Sequence, residues 1–197
     1  MYLEDMERKQ KEEDFTGPKE DFLADLNMKF IISDAKEEDL KRAEELTVRT
    51  NQLNATGKTY SYEELNQIRT SDKHRLLVCE LVDKYGSYGK IGVALIELHE
   101  EFWYLKLLLM SCRVMSRGVG TVLMTYILKE AKKAGVKLKA DFVPTNRNRM
   151  MFITYKFANF IQLEERKDGS LVLENDLSVI RNFPDYIDII LPEDSKI

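Results

Sequence analysis

Two cysteines, Cys79 and Cys112, are too few for a disulfide framework, and they stand at no metal-ligand spacing. His74 and His99 are isolated near strand ends, so no metal site is expected. No apolar run approaches the roughly 18 residues that a membrane-spanning helix needs. Charge begins at Glu4, which is wrong for a secretory signal peptide. Basic residues form no cluster and the net charge is −4, so a general nucleic-acid binder is excluded as well. No internal repeat or low-complexity tract is present. These absences point to a cytoplasmic protein, in which the Asn54-Ala55-Thr56 glycosylation sequon has no use.

What is there is an ordinary globular composition, 44% hydrophobic and 32% charged, over 197 residues: enough for one domain with a real core. Residues 1–27 differ from the rest. They carry nine acids against four bases, a net −5, while the remaining 170 residues balance at about +1. Two helical patterns, 2–14 and 18–26, flank Gly17-Pro18, and this stretch reads as an acidic linker or docking arm. Residues 28–197 form the domain proper. The alternation in "MKFIIS" predicts a strand, and Ser33-Asp34 are placed to cap the helix that follows. "RLLVCELVD", "KIGVALIELH" and "FWYLKLLLMSCRV" predict three strands, the first two a hairpin around "DKYGSYG". A helix with one apolar stripe spans 118–134 and ends at Gly135. "VKLKADFV" is a strand, "NRNRMMFITYKF" an amphipathic helix, and a hairpin turns at Asp168-Gly169 before the strand "YIDIIL". The order predicts a mixed α/β fold with helices on a twisted sheet.

The chemistry concentrates at the start of the 118–134 helix. Gly118 and Gly120 let a ligand approach the backbone, first-turn N–H groups have no internal partners, and Arg117 adds charge; together they suit a phosphate or pyrophosphate. Tyr155, on the later helix, has a phenol able to protonate a departing thiolate. Cys112 precedes the helix start, where the dipole, Arg113 and Arg117 would favour its thiolate; it is a candidate covalent relay. Glu97 is a candidate general base, against the simpler reading of a solvent-facing strand residue. Asn51, Gln52 and Asn54 sit in a polar loop.

The loop Met115-Ser116-Arg117-Gly118-Val119-Gly120, with the later Asn148, Tyr155 and Asn159-Phe160, resembles the GNAT acyltransferase family. In that family such a loop holds the pyrophosphate of coenzyme A; here Met115 replaces the usual Arg or Gln, and Asn159 takes a glycine place. The resemblance covers roughly 28–191. It implies a mostly antiparallel twisted sheet flanked by helices, and a donor site made by Met110, Arg113, Ser116, Arg117, Gly118, Val119, Gly120, Thr121 and Asn148. Three stretches, "RTNQLNATGKTYS", "SCRVMSRGV" and "VPTNRN", are also similar to the C-terminal region of FkbH-like proteins, which move a glyceryl group onto the phosphopantetheine thiol of an acyl carrier protein. That resemblance implies substrate contact by Asn51, Gln52 and Asn54, a relay at Cys112, and two partners: the carrier protein and a HAD-type domain or subunit. The Asp-x-Asp-x-Thr motif of that domain is absent, so the chain reads as a C-terminal fragment or separate subunit. Typical members carry an acid where Gly120 stands, which favours coenzyme A. Three activities follow as expectations: acyl transfer to a carrier thiol, coenzyme A-dependent N-acetylation with Tyr155 as acid, and non-catalytic docking of a carrier protein.

Overall fold

The computed structural model describes residues 2–192, with side chains from Met6 onward. Alternating burial builds one eight-stranded sheet: β1 (Met28–Asp34), β2 (His74–Asp83), β3 (Gly86–Leu98), β4 (Phe102–Met110), β5 (Lys137–Phe142), β6 (Ile161–Glu165), β7 (Leu171–Asn175) and β8 (Ile187–Ile190). Their spatial order is β6-β7-β5-β4-β3-β2-β1-β8, antiparallel except for the β4/β5 and β1/β8 pairs. The fold is therefore the mixed, mostly antiparallel α/β layer that the sequence predicts.

Helices α3 (Glu37–Arg49) and α4 (Tyr62–Arg69) cover one face, burying Leu40, Leu46 and Leu65 against Val78, Val93 and Leu107. Helix α5 (Val119–Lys133) covers the other, with its stripe Val119, Val122, Leu123 and Ile127 set on Leu105, Leu108 and Ile96. Helix α6 (Arg149–Phe157) adds Met151 and Tyr155 to that core. Strand β4 serves both faces through a bulge at Lys106. Leu95 pairs with Leu107 and Ile96 with Leu105, so Lys106 is the extra residue, and Leu105 and Leu108 share a core although three positions apart.

Helices form where expected in the first 27 residues, at α1 (Tyr2–Asp14) and α2 (Lys19–Asp25), but this stretch is more than a solvated arm. Phe22, Leu23 and Leu26 belong to the main core. Arg8 is buried against the β2–β3 turn, donating from Nε and Nη2 to Asp83 at 2.8 and 3.0 Å and lying 4.0 Å over the Tyr88 ring. Two local expectations are corrected. Ser33 and Asp34 complete β1 instead of capping α3; Asp39 supplies the cap, accepting from the Lys36 N–H at 2.9 Å, while Asp34 is taken by Arg75. Strand β4 stops at Met110, and residues Cys112–Arg117 form a 3₁₀ helix.

Candidate functional site

Strands β4 and β5 pair only from Phe102–Leu105 to Lys137–Ala140 and then diverge. The first rung across the opening is ionic: Lys106 Nζ lies 2.8 Å from Asp141, whose other oxygen accepts from Arg166 and from the Tyr104 hydroxyl, each at 2.8 Å. Burial alone would push the Asp141 carboxyl up, but the bonds from Lys106, Tyr104 and Arg166 hold it below the ordinary carboxylate value. Tyr104 is pushed up to about 12 by burial and by Asp141. Tyr60 rises to about 12 through burial, then through the charges of Glu97 and Asp141.

Beyond that rung the gap is filled by the chain itself. The loop after α3 enters as a short extended segment, Leu53-Asn54-Ala55. The Met110 N–H donates to Leu53 O at 2.9 Å, and the Ala55 N–H to Leu108 O at 3.0 Å. On the far side the Val143 N–H donates to Ala55 O at 2.9 Å, and Asn148 Nδ2 to Asn54 O at 3.1 Å. Asn54 Oδ1 accepts from the Thr56 and Gly57 N–H groups, closing a tight turn that Gly57 permits with φ +66°.

An apolar cleft opens beside this segment. Its inner part, about 200 Å³, is lined by Leu53, Leu108, Met110, Val114, Gly118 and Gly120; its outer part, about 300 Å³, runs between α5 and α6 past Met124, Ile153, Phe157 and Arg181. The two parts meet at Thr121, Met150 and Thr154. At their junction lies the start of α5. Gly118 is left-handed, φ +75°, and a Cβ there would fall 2.6 Å from the Tyr186 hydroxyl. At Gly120 a Cβ would meet nothing within 4 Å, so this glycine leaves space in front of the helix start. The Thr121 N–H is taken by Gly118 O at 3.1 Å; the earlier first-turn N–H groups and the dipole would suit that space to an anion.

The expected donor residues divide. Met110, Gly118, Gly120 and Thr121 line the cleft, and Val119 is buried directly behind them. Arg117 turns away: it is buried, its Nη2 pairs with Glu12 at 3.0 Å, its guanidinium lies 5.5 Å over the Phe22 ring, and Nε and Nη1 meet no hydrogen-bond acceptor among the described residues. It anchors α1 and does not meet the anion space. Ser116 lines none of these cavities. Asn148 is spent on the backbone, with Nδ2 donating to Asn54 and Val143 and Oδ1 accepting from the Thr145 N–H, so it clamps the inserted segment. Asn51 and Gln52 are exposed, and Asn54 is buried with its Nδ2 unpartnered.

The proposed chemical pair is separated. Cys112 is exposed and lines a different cleft, of about 670 Å³, with Arg42, Arg49, Tyr88, Lys90 and Arg113 on the α3 side of β4. Tyr155 lines neither cleft. It is wholly buried one helical turn beyond Met151, its ring edge-on to Phe160 at 5.0 Å, its hydroxyl without a partner and its ionisation pushed up by burial. Burial likewise pushes the Cys79 thiol up. Glu97 is half-buried at the far end of β3, 3.5 Å from His99. Sequence reasoning missed Leu53, Tyr186 and Arg181, whose positions depend on long-range chain crossings. Among the described residues no group of three metal-ligating side chains occurs, and no helix is long and apolar enough to cross a membrane.

The open space at Gly120 and the apolar walls of the α5/α6 groove suit a phosphate-bearing thioester such as coenzyme A, whose phosphates main chain, and not Arg117, would hold. No family model and no curated protein sequence matches the chain. Solved structures do. The ribosomal-protein-S18-alanine N-acetyltransferase of Escherichia coli superposes with a TM-score of 0.59 at 15% identity, over 77% of this chain and 96% of that one. The PaiA N-acetyltransferase of Thermoplasma acidophilum, solved in complex with coenzyme A, gives 0.57 at 16% identity, over 74% and 98%. The SpeG spermidine N-acetyltransferase of Vibrio cholerae gives 0.57 at 14%, over 76% and 95%. The chain thus shares the GNAT N-acetyltransferase fold.

Proposed function

We propose, taking that fold as the frame, that the protein is a coenzyme A-dependent acyltransferase that passes a short acyl group directly to an amine. The observation that carries this reading is the glycine-lined start of α5 opening into an apolar groove between α5 and α6. When bound, the thioester supplies an activated acyl carbon; the amine nitrogen bonds to that carbon as the C–S bond breaks, and the proton leaving nitrogen balances the one taken up by sulfur. The chain's part is to hold and orient. The backbone around Gly118 and Gly120 receives the phosphates, and Met110, Leu108 and Met150 keep water from the arm. Arg181, exposed at the groove, is placed to meet a second phosphate.

Direct transfer is preferred to a relay because Cys112 faces the other cleft. A carrier-protein thiol as acceptor is the second reading. It is favoured by the exposed Arg147 and Arg149 beside α6, which suit an acidic carrier surface, and by the three FkbH-like stretches. The HAD-type partner belongs to that reading. The test is thiol release from acetyl-coenzyme A with a panel of amines and, separately, with a carrier protein, followed by intact-mass analysis. Acceptor-dependent release with no acyl adduct on the protein supports direct transfer; an adduct lost in Cys112→Ala overturns it.

A further inference from the structure

The segment Leu53-Asn54-Ala55 does more than fill a gap. It is buried, with Leu53 8%, Asn54 1% and Ala55 0% exposed, and it is hydrogen-bonded on both flanks. The β4 groups that face the opening, Leu108 O and Met110 N, are already used by it. Withdrawing it would strip three main-chain bonds and the Asn148 bond from buried groups. Yet Leu53 is the one residue preceding β4 that lines the inner cleft, which it shares with Gly118 and Gly120, and its carbonyl holds the Met110 N–H. A ligand anchored by its phosphates at α5 and laid along Met110 therefore runs toward Leu53.

We infer that residues 53–55 are a fixed end wall, and that Leu53 determines which acyl groups the protein accepts, admitting short unbranched ones and excluding longer ones. This rests on the proposed acyl-donor reading of the cleft. Because main chain on both sides holds the wall, the isobutyl group of Leu53 is the adjustable part of it.

Calorimetric binding of acetyl-, butyryl- and hexanoyl-coenzyme A to the full chain tests this without an acceptor. In the parent, affinity is expected to fall at least tenfold from acetyl to hexanoyl, the low end of what about one methylene too many costs in a closed pocket. Leu53→Ala is expected to remove most of that fall, and Leu53→Phe to extend it to butyryl; the two opposite changes guard against a variant that misfolds. Hydrogen exchange at the Met110 and Val143 amides is expected to stay slow when acetyl-coenzyme A binds. Equal affinity for all three thioesters in the parent and in Leu53→Ala overturns the wall while leaving the donor site intact, and so does ligand-induced deprotection of those amides. Binding of none of the three overturns the donor site itself, and the wall with it.

Discussion

Two clefts flank the end of β4, and they differ in almost every property. The one on the α5 side is apolar, entered past glycines and walled by methionines; the one on the α3 side carries Arg42, Arg49, Lys90 and Arg113 around Cys112. Only a few residues separate them in sequence. Met110 ends a strand facing one cleft, and the 3₁₀ helix that starts two residues later turns Cys112 toward the other. Nearness along the chain thus gave Cys112 a place in a site it does not reach.

The largest effect is expected where the cationic side is fixed. Arg8 lies over Tyr88, which lines that cleft, and its partner Asp83 is fully buried. Arg8→Met leaves that carboxylate without a counter-charge, held only by the Tyr88 hydroxyl and the Tyr85 N–H among the described residues, and is expected to cost about 3–5 kcal/mol of stability in denaturant titration. Coenzyme A binding by the folded fraction should change far less, and an equal loss of both would merge the two clefts. Next comes Gly120→Glu, which sets a carboxylate in open space before the helix start. Coenzyme A affinity is expected to fall at least about tenfold with melting temperature unchanged; calorimetry showing parental affinity would remove the anion site.

A smaller change is expected from Tyr155→Phe. The hydroxyl is buried with no partner, so its removal should raise stability by about 1 kcal/mol, read from the denaturation midpoint. Transfer should be unaffected, whereas a loss of roughly 10²-fold would make the phenol the general acid after all. The pH dependence is subtler. Tyr60, Tyr104 and Tyr126 are each raised to about 12 from 10, so the native state holds their protons more tightly than the unfolded chain does. Their contribution is complete below pH about 10 and is lost as pH climbs toward 12. Ultraviolet titration should show these phenols ionising late and together with unfolding. Least of all, Cys112→Ala should leave donor affinity and turnover at parental values.

Most of the secondary structure was legible because it is local. Alternation marks β1 and β2, and the apolar stripe from Val119 to Ala131 marks α5. Gly118 and Gly120 were readable as well, since their chemistry is that of their own backbone. What escaped depends on partners distant in sequence. "NQLNATGKTYS" is polar and turn-rich and reads as a solvated loop, yet its middle is inserted beside β4, more than 50 residues later in the chain. Arg117 looked like a phosphate ligand until Glu12, 105 residues away, took it. Asn148 was singled out correctly as a polar residue at a helix start, but its hydrogen bonds go to Asn54, Val143 and Thr145.

Lys106 acts as a phase shifter. A strand assigns successive side chains to opposite faces, so a bulge that takes one residue out of the pairing decides which face each later residue occupies. With Lys106 present, Leu107 and Leu109 go to the α3/α4 core, leaving Leu108 and Met110 for the cleft. A chain of the same length without the bulge, keeping the pairing of Leu105 with Ile96, would set Lys106 opposite Leu95 and send Leu108 and Met110 into the α3/α4 core and Leu107 and Leu109 into the cleft. Every side chain between the bulge and the 3₁₀ helix would change sides without a single substitution. For this strand, the bulge is therefore as much a determinant of the cleft wall as composition, and an alignment that slides a gap across Lys106 would mistake wall for core.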